Sequence, residues 1–338
     1  MANRIKSILL RGMLAFVVLL APQAQAAKAV EIEVGYMPIL PVSQLFVALE
    51  NGWLTEAGIQ VRLVQFQNGP AMVQALLAGQ LDVAHFGIGP AMVARAKGVD
   101  IKVVAASIAE QISLVASPEL APYFVRDAAT AFARFRADKG RKAKISTFPV
   151  GSVPQTVLQY WLQKNLQVKA DDIEIIYQGA AQVQQSLQTG AVDGAAVMEP
   201  IVADVIHKLK GARVVAQGSE MFAGQPGAVL AVRERLIAEQ PAVVQSLVAI
   251  HDRATRLLNE QPVAAVDAVQ KYVGGGRMPK AIVAEAIAAS KGQFVADPKR
   301  IIEGTRRMRD FQLEMGTLKD KLDIDALFAT RFYDALGR

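Results

Sequence analysis

No cysteine occurs among the 338 residues. That absence excludes a disulfide framework, a thiolate metal centre and a cysteine nucleophile. It also makes an oxidising compartment harmless to the chain. Histidine is nearly as scarce, with only His85, His207 and His251. None forms a His-Glu-x-x-His pair, no Gly-x-Ser-x-Gly elbow occurs, and no metal or cofactor is expected. Gly87-Ile88-Gly89 has Met92 where a dinucleotide fingerprint needs its third glycine. Gly274-Gly275-Gly276 lacks the Lys-Ser/Thr that ends a phosphate loop. These gaps argue against an enzyme. A lone histidine in an apolar strand, such as His85, reads as core.

Long apolar runs are missing too, except at the start. Arg4, Lys6 and Arg11 precede the unbroken apolar stretch 12–21, and Pro22 breaks it before Ala24-Gln25-Ala26. Ten apolar residues are too few to cross about 30 Å of hydrocarbon. The pattern predicts a signal peptide over 1–26, cleaved after Ala26, and export to the periplasm. Of the +6 net charge, three units lie in that leader. The remaining +3 is too small for a nucleic-acid footprint, so no nucleic acid is expected as a partner. A mature chain of this length exceeds one ordinary core and predicts two domains.

What remains alternates strand with helix. Val30, Ile32 and Val34 alternate with Glu31 and Glu33, as a half-buried strand requires. Helices are predicted over 43–51, from Asn68-Gly69-Pro70 to Leu77, and from Pro90; strands over 60–66, 81–86 and 103–107. The pattern restarts at 144–148 and continues through a helix at 153–165, strands at 174–178 and 192–198, and a helix at 182–189. At an offset of 111, the positions from 38 to 82 contain eight identities, from Pro38/Pro149 to Asp82/Asp193. Chance would give about three. The matches fall where geometry dictates residue type, and they predict two similar α/β lobes with mostly parallel sheets. Beyond Ala228 the chain turns helical, with Pro241, Pro262, Pro279 and Pro298 at helix starts. This tail is expected to return to the first lobe. Ile112–Ala116 and Val229–Val232 are expected to pair as a two-strand hinge. The predicted division is 27–112 plus 226–338 for lobe one and 113–225 for lobe two. Segment 121–141 reads as a helix plus linker, and its charged end Lys139–Lys142 as a solvated turn.

In open parallel sheets ligands bind beyond the carboxyl ends of the strands. That rule selects Met37, Pro38, Gln44, Ile88, Gly89, Pro90 and Glu110 in the first lobe. In the second it selects Gly151, Ser152, Val153, Gln155, Met198 and Glu199. Gly87–Ala91 and Pro149–Val153 each lead from strand to helix, where free backbone N–H groups favour an oxyanion. Glu110 and Glu199 would instead suit an amine. No Arg or Lys stands in these loops, which argues against a highly charged ligand.

The same loops resemble a known family. Gly35-Tyr36-Met37-Pro38, the run Leu76–Ala84 followed by Gly87–Ala91, Phe148–Ser152, and Thr189–Gly194 through Met198-Glu199-Pro200 are similar to motifs of the nitrate/sulfonate/taurine solute-binding proteins. That family also includes thiamine-pyrimidine receptors. Met198-Glu199 replaces the aromatic-Asp pair usual there. The resemblance implies a type II periplasmic binding fold and no catalysis. It implies delivery of a small-molecule ligand to an inner-membrane ABC permease coupled to a cytoplasmic ATPase, with a monomer as the simplest state. An alkyl or aryl sulfonate, taurine or nitrate is the leading ligand class. A thiamine-type pyrimidine or other neutral or amine-bearing heterocycle is the alternative, and a non-transport sensor the other reading.

Overall fold

The Val/Glu alternation at the mature start yields strand β1, Val30–Tyr36, with Ile32 and Val34 buried and Glu31 exposed. A computed structural model describes residues 29–337. The expected leader at 1–26 lies outside the described residues. Among those described, no helix is long and apolar enough to cross a membrane.

β1 is followed by β2 (Ile59–Gln65), β3 (Val83–Gly87) and β4 (Ile101–Ala106). The second half supplies β5 (Ser113–Ala116), β6 (Ala143–Thr147), β7 (Ile173–Tyr177), β8 (Gly194–Val197) and β9 (Arg213–Ala216), and β10 (Ala228–Arg233) closes the set. They form two five-stranded sheets, ordered β2-β1-β3-β10-β4 and β7-β6-β8-β5-β9. In each, four strands run parallel and one runs against them: β10 in the first and β5 in the second. The mostly parallel, two-sheet α/β architecture expected from the sequence is the one found. In both sheets the reversed strand is the one that has just arrived from the other half.

Helices α1 (Ser43–Glu50), α2 (Gly69–Leu77) and α3 (Ile88–Ala96) serve the first sheet. The second has α4 (Ala131–Lys139), α5 (Val153–Tyr160), α6 (Ala180–Gln188) and α7 (Ile201–Lys208). The tail adds α8 (Pro241–Glu260), α9 (Pro262–Gln270), α10 (Lys280–Ala289) and α11 (Lys299–Glu314). The repeat is structural: α2 and α6 start 111 residues apart, at Gly69 and Ala180. Its aspartates explain why it persists. The Asp82 carboxylate accepts the Glu33 N–H at 3.0 Å, and Asp193 accepts the Lys144 N–H at 2.8 Å, again at the 111 offset. Each staples the entry of β3 or β8 to the neighbouring strand. Gly79 and Gly190, at φ 73° and 71°, end the preceding helices in the left-handed conformation that glycine tolerates.

The hinge differs in register from the expectation. Ile112–Ala116 and Val229–Val232 do not pair with each other, because β5 and β10 are each claimed by a different sheet. The crossing pair lies just outside them. Ser107 N–H donates to Ala228 O (2.9 Å), Gly227 N–H to Ile108 O (3.0 Å) and Glu110 N–H to Gln225 O (2.9 Å). A Cβ on Gly227 would sit 2.5 Å from Ile108 O, so only glycine permits the approach. A third run flanks the pair, with Ala109 N–H on Gln293 O and Val295 N–H on Ser107 O.

The tail also departs from expectation, since it rests on both halves. α8 packs against α1, but α10 meets α7, where His207 Nε2 lies 2.6 Å from Glu285 Oε2. α11 packs against both α3 and α5, and Gln312 donates to Thr156 Oγ1 at 3.1 Å. Segment 121–141 belongs to the second half: Phe132 and Phe135 are fully buried, and Phe124 stacks on Trp161. Its charged end is an exposed turn, as expected, from which Arg141 reaches Asp193 with two hydrogen bonds of 2.6 and 2.8 Å.

Candidate functional site

The carboxyl ends of the two sheets face each other, and two open cavities lie between the halves. The larger, about 470 Å³, is lined from the first half by Met37, Pro38, Ile39, Gln65 and Gln67, and from the second by α6 and the start of α7. The turn Gly274–Pro279 closes it. The smaller, about 380 Å³, lies among Pro90, Val93, Gly151 and Thr317–Asp320. Both volumes suit a small solute.

The structure uses the residues singled out from sequence in three ways. Met37 and Pro38 line the larger cavity, and Pro90 and Gly151 the smaller. Gly89 and Val153 form the contact between the halves: a Cβ on Gly89 would lie 2.9 Å from Gly151 O, and one on Gly87 2.9 Å from Val153 Cγ2. The helix tips therefore meet, as the two-lobe geometry requires. The donors at the second tip are already engaged. Gly151 N–H donates to Gln155 Oε1 (3.0 Å), Ser152 N–H to Pro149 O (3.1 Å) and Gln155 N–H to Ser152 Oγ (3.4 Å). Ile88 N–H at the first tip goes to Gly227 O. The free-donor cradle expected there is thus largely spent on capping.

The remaining candidates hold the frame. Gln44 is buried and donates to Ser107 O and Thr255 Oγ1. Met198 is buried in the core. Glu110, at φ 53°, accepts Gly224 N–H at 2.6 Å beside the crossing. Glu199 accepts Ala203 N–H at 3.0 Å. Burial, opposed by that bond and reinforced by the Glu285 carboxylate, pushes the Glu199 carboxyl up to about 7. Neither glutamate lines either cavity.

Sequence reasoning missed the charged wall of the larger cavity. Asp204 is buried and accepts from Gln184 (2.6 Å), Gln188 (2.5 Å) and Lys208 (2.9 Å). Arg277 lines the same cavity from the glycine turn. Helix α7 carried a hint in Asp204 and Lys208, four residues apart, but nothing local says that the face they share meets a cavity. The described residues hold no group of His, Asp and Glu that could bind a metal.

The sequence model of the NMT1-like family matches residues 25–272. The chain belongs to that family. NMT1-like relatives bear out the resemblance read from the cleft loops. A Bacillus subtilis (strain 168) protein assigned as an aliphatic sulfonates-binding protein is 25% identical over 301 residues, covering 87% of this chain and 84% of that protein. Two solved structures share the fold. The alkanesulfonate-binding protein SsuA of Xanthomonas axonopodis pv. citri, bound to MOPS, gives a TM-score of 0.73 at 18% identity, over 90% of this chain and all of that one. The periplasmic nitrate-binding protein NrtA of Synechocystis PCC 6803 gives 0.75 at 13%, over 91% and 88%.

Proposed function

We propose that this NMT1-like chain is the solute-binding component of an ABC importer, exported to the periplasm, where it captures a small anion between its halves and presents it to a permease driven by a cytoplasmic ATPase. The observation that carries this reading is the pair of matching sheets, linked by crossings and tail helices, with a solute-sized chamber between their carboxyl ends. Residues 27–112 with 226–338 form one lobe and 113–225 the other. Bending at 107–110 and 225–228 opens the chamber, and a ligand touching both lobes favours the shut state. The sulfonate- and nitrate-binding relatives support an anion as cargo. The amine-bearing heterocycle loses its motive, because Glu110 and Glu199 are both bonded locally and neither lines a cavity.

Thermal-shift titration of the mature chain with ethanesulfonate, taurine, nitrate and a thiamine-type pyrimidine tests the reading. A true ligand stabilises by RT ln(1 + [L]/Kd), about 2.7 kcal/mol at a hundredfold excess over Kd. Stabilisation by the pyrimidine alone would refute an anionic cargo, and chemical turnover of any of these would refute simple capture.

A further inference from the structure

We infer that Arg277, which lies outside every cleft loop, supplies the positive charge that holds the cargo anion and limits the chamber to singly charged head groups. The inference rests on the solute-binding reading and names the residue that sets charge preference.

Three charged side chains line the larger cavity: Asp204, Lys208 and Arg277. The first two cancel. Asp204 is buried with its carboxylate 2.9 Å from Lys208 Nζ, and Gln184 and Gln188 satisfy the rest of it. A cation so paired has little charge left to offer a ligand. Arg277 makes no hydrogen bond or ion pair among the described residues. The chamber therefore carries one unspent positive charge. A monoanion neutralises it, whereas a dianion would leave an uncompensated negative charge beside Asp204.

Arg277 is also held in place. Gly274, Gly275 and Gly276 stand at φ 57°, 67° and 72°, a left-handed run that side chains resist. Gln270 Nε2 donates to Gly276 O at 3.0 Å and to Met278 O at 3.1 Å, gripping the backbone on either side of Arg277. Two residues before the glycines, Tyr272 stacks on Phe46 with centroids 4.6 Å apart, which ties the turn to the first lobe. The anchored backbone fixes where the side chain starts, and the planar fork of its guanidinium matches the oxygens of a sulfonate or nitrate. The triple glycine, which fails as a phosphate loop, acts here as the mount for a cation.

The test is calorimetric titration of the full mature chain with ethanesulfonate, nitrate and sulfate, for wild type, R277Q and R277K. Wild type should prefer the two monoanions to sulfate by at least tenfold. R277Q should weaken the monoanions about 10- to 100-fold, the loss of one charged hydrogen-bonding partner, and R277K less. Because Arg277 bonds to nothing else, the unliganded melting temperature should stay unchanged. Wild-type binding with R277Q within twofold overturns the inference and leaves the solute-binding reading intact. Tighter binding of sulfate than of the monoanions overturns the charge rule. Failure of wild type to bind any of the three overturns the anion reading and the inference with it.

Discussion

Acid should destabilise this protein through two histidines that its proposed ligand never meets. His85 on β3 and His251 on α8 are both buried, with ring centroids 5.9 Å apart. Burial, with the neighbouring His251 adding to it, pushes the His85 imidazole down to about 3. Burial likewise lowers His251 to about 4, opposed by the bond its Nε2–H donates to Ala106 O at 2.6 Å. Both rings are therefore neutral in the fold and take up protons only on unfolding. The unfolded chain binds more protons below about pH 6.5, so stability falls as pH drops from there toward 4 and 3. At pH 5.0 each ring costs about 2 kcal/mol relative to pH 7.5, or about 4 kcal/mol together. A domain stable by 5–15 kcal/mol would feel that loss. The assay is urea unfolding at pH 7.5 and 5.0 for wild type and for the H85L/H251Q double variant, in which neither site titrates. The difference in stability between the two pH values should shrink by about 4 kcal/mol in the variant, whatever other groups do. Equal pH dependence in both proteins would show that the rings are hydrated or charged in the fold, and the reasoning would be refuted.

Glu199 acts with the opposite sign. Its carboxyl is raised to about 7, so it is largely protonated in the fold at pH 5, and stability is lost as pH rises from about 4.5 toward 7. E199Q should therefore gain about 2–3 kcal/mol at pH 7.5 and almost nothing at pH 4.5, as read from urea midpoints; equal gains at both would mean the carboxyl is ionised throughout. Gly89 faces Gly151 O across the interface, and a Cβ there would come within 2.9 Å. G89L should hold the halves apart, lowering affinity for a bound anion at least tenfold and increasing the radius of gyration in small-angle scattering. Unchanged affinity and radius would place the closing contact elsewhere.

Much of the fold was legible because its punctuation is local. Asn68 caps α2 and Pro70 opens it, as written. Gly79 and Asp82 end one element and begin the next, and their partners at 190 and 193 repeat the trick. What escaped depends on distant neighbours. Val229–Val232 is an apolar strand in any context, and only the competition for a place in the sheet decides that it pairs with β3 and β4 rather than with Ile112–Ala116. Free N–H groups at the helix tips were a fair inference from Gly-Ser, but the side chain of Gln155 reaches back to Gly151, and spacing alone does not reveal that choice. His85 read correctly as core, whereas the second ring beside it comes from a helix 166 positions later. Arg277 was invisible for the same reason, since only the folded tail brings it to the chamber.

The reversed strands are reciprocal. Each sheet holds, between two of its own strands, a strand reached directly from the other half: β5 in one, β10 in the other. Two identical chains that traded one strand apiece would show this same reciprocal pattern, since swapping a like element between protomers costs little. End-to-end fusion of such a swapped dimer yields a single polypeptide with a repeat of about this length. It leaves the second sheet, β5 to β9, on one continuous stretch of chain, whereas the first sheet is complete only when β10 returns to it.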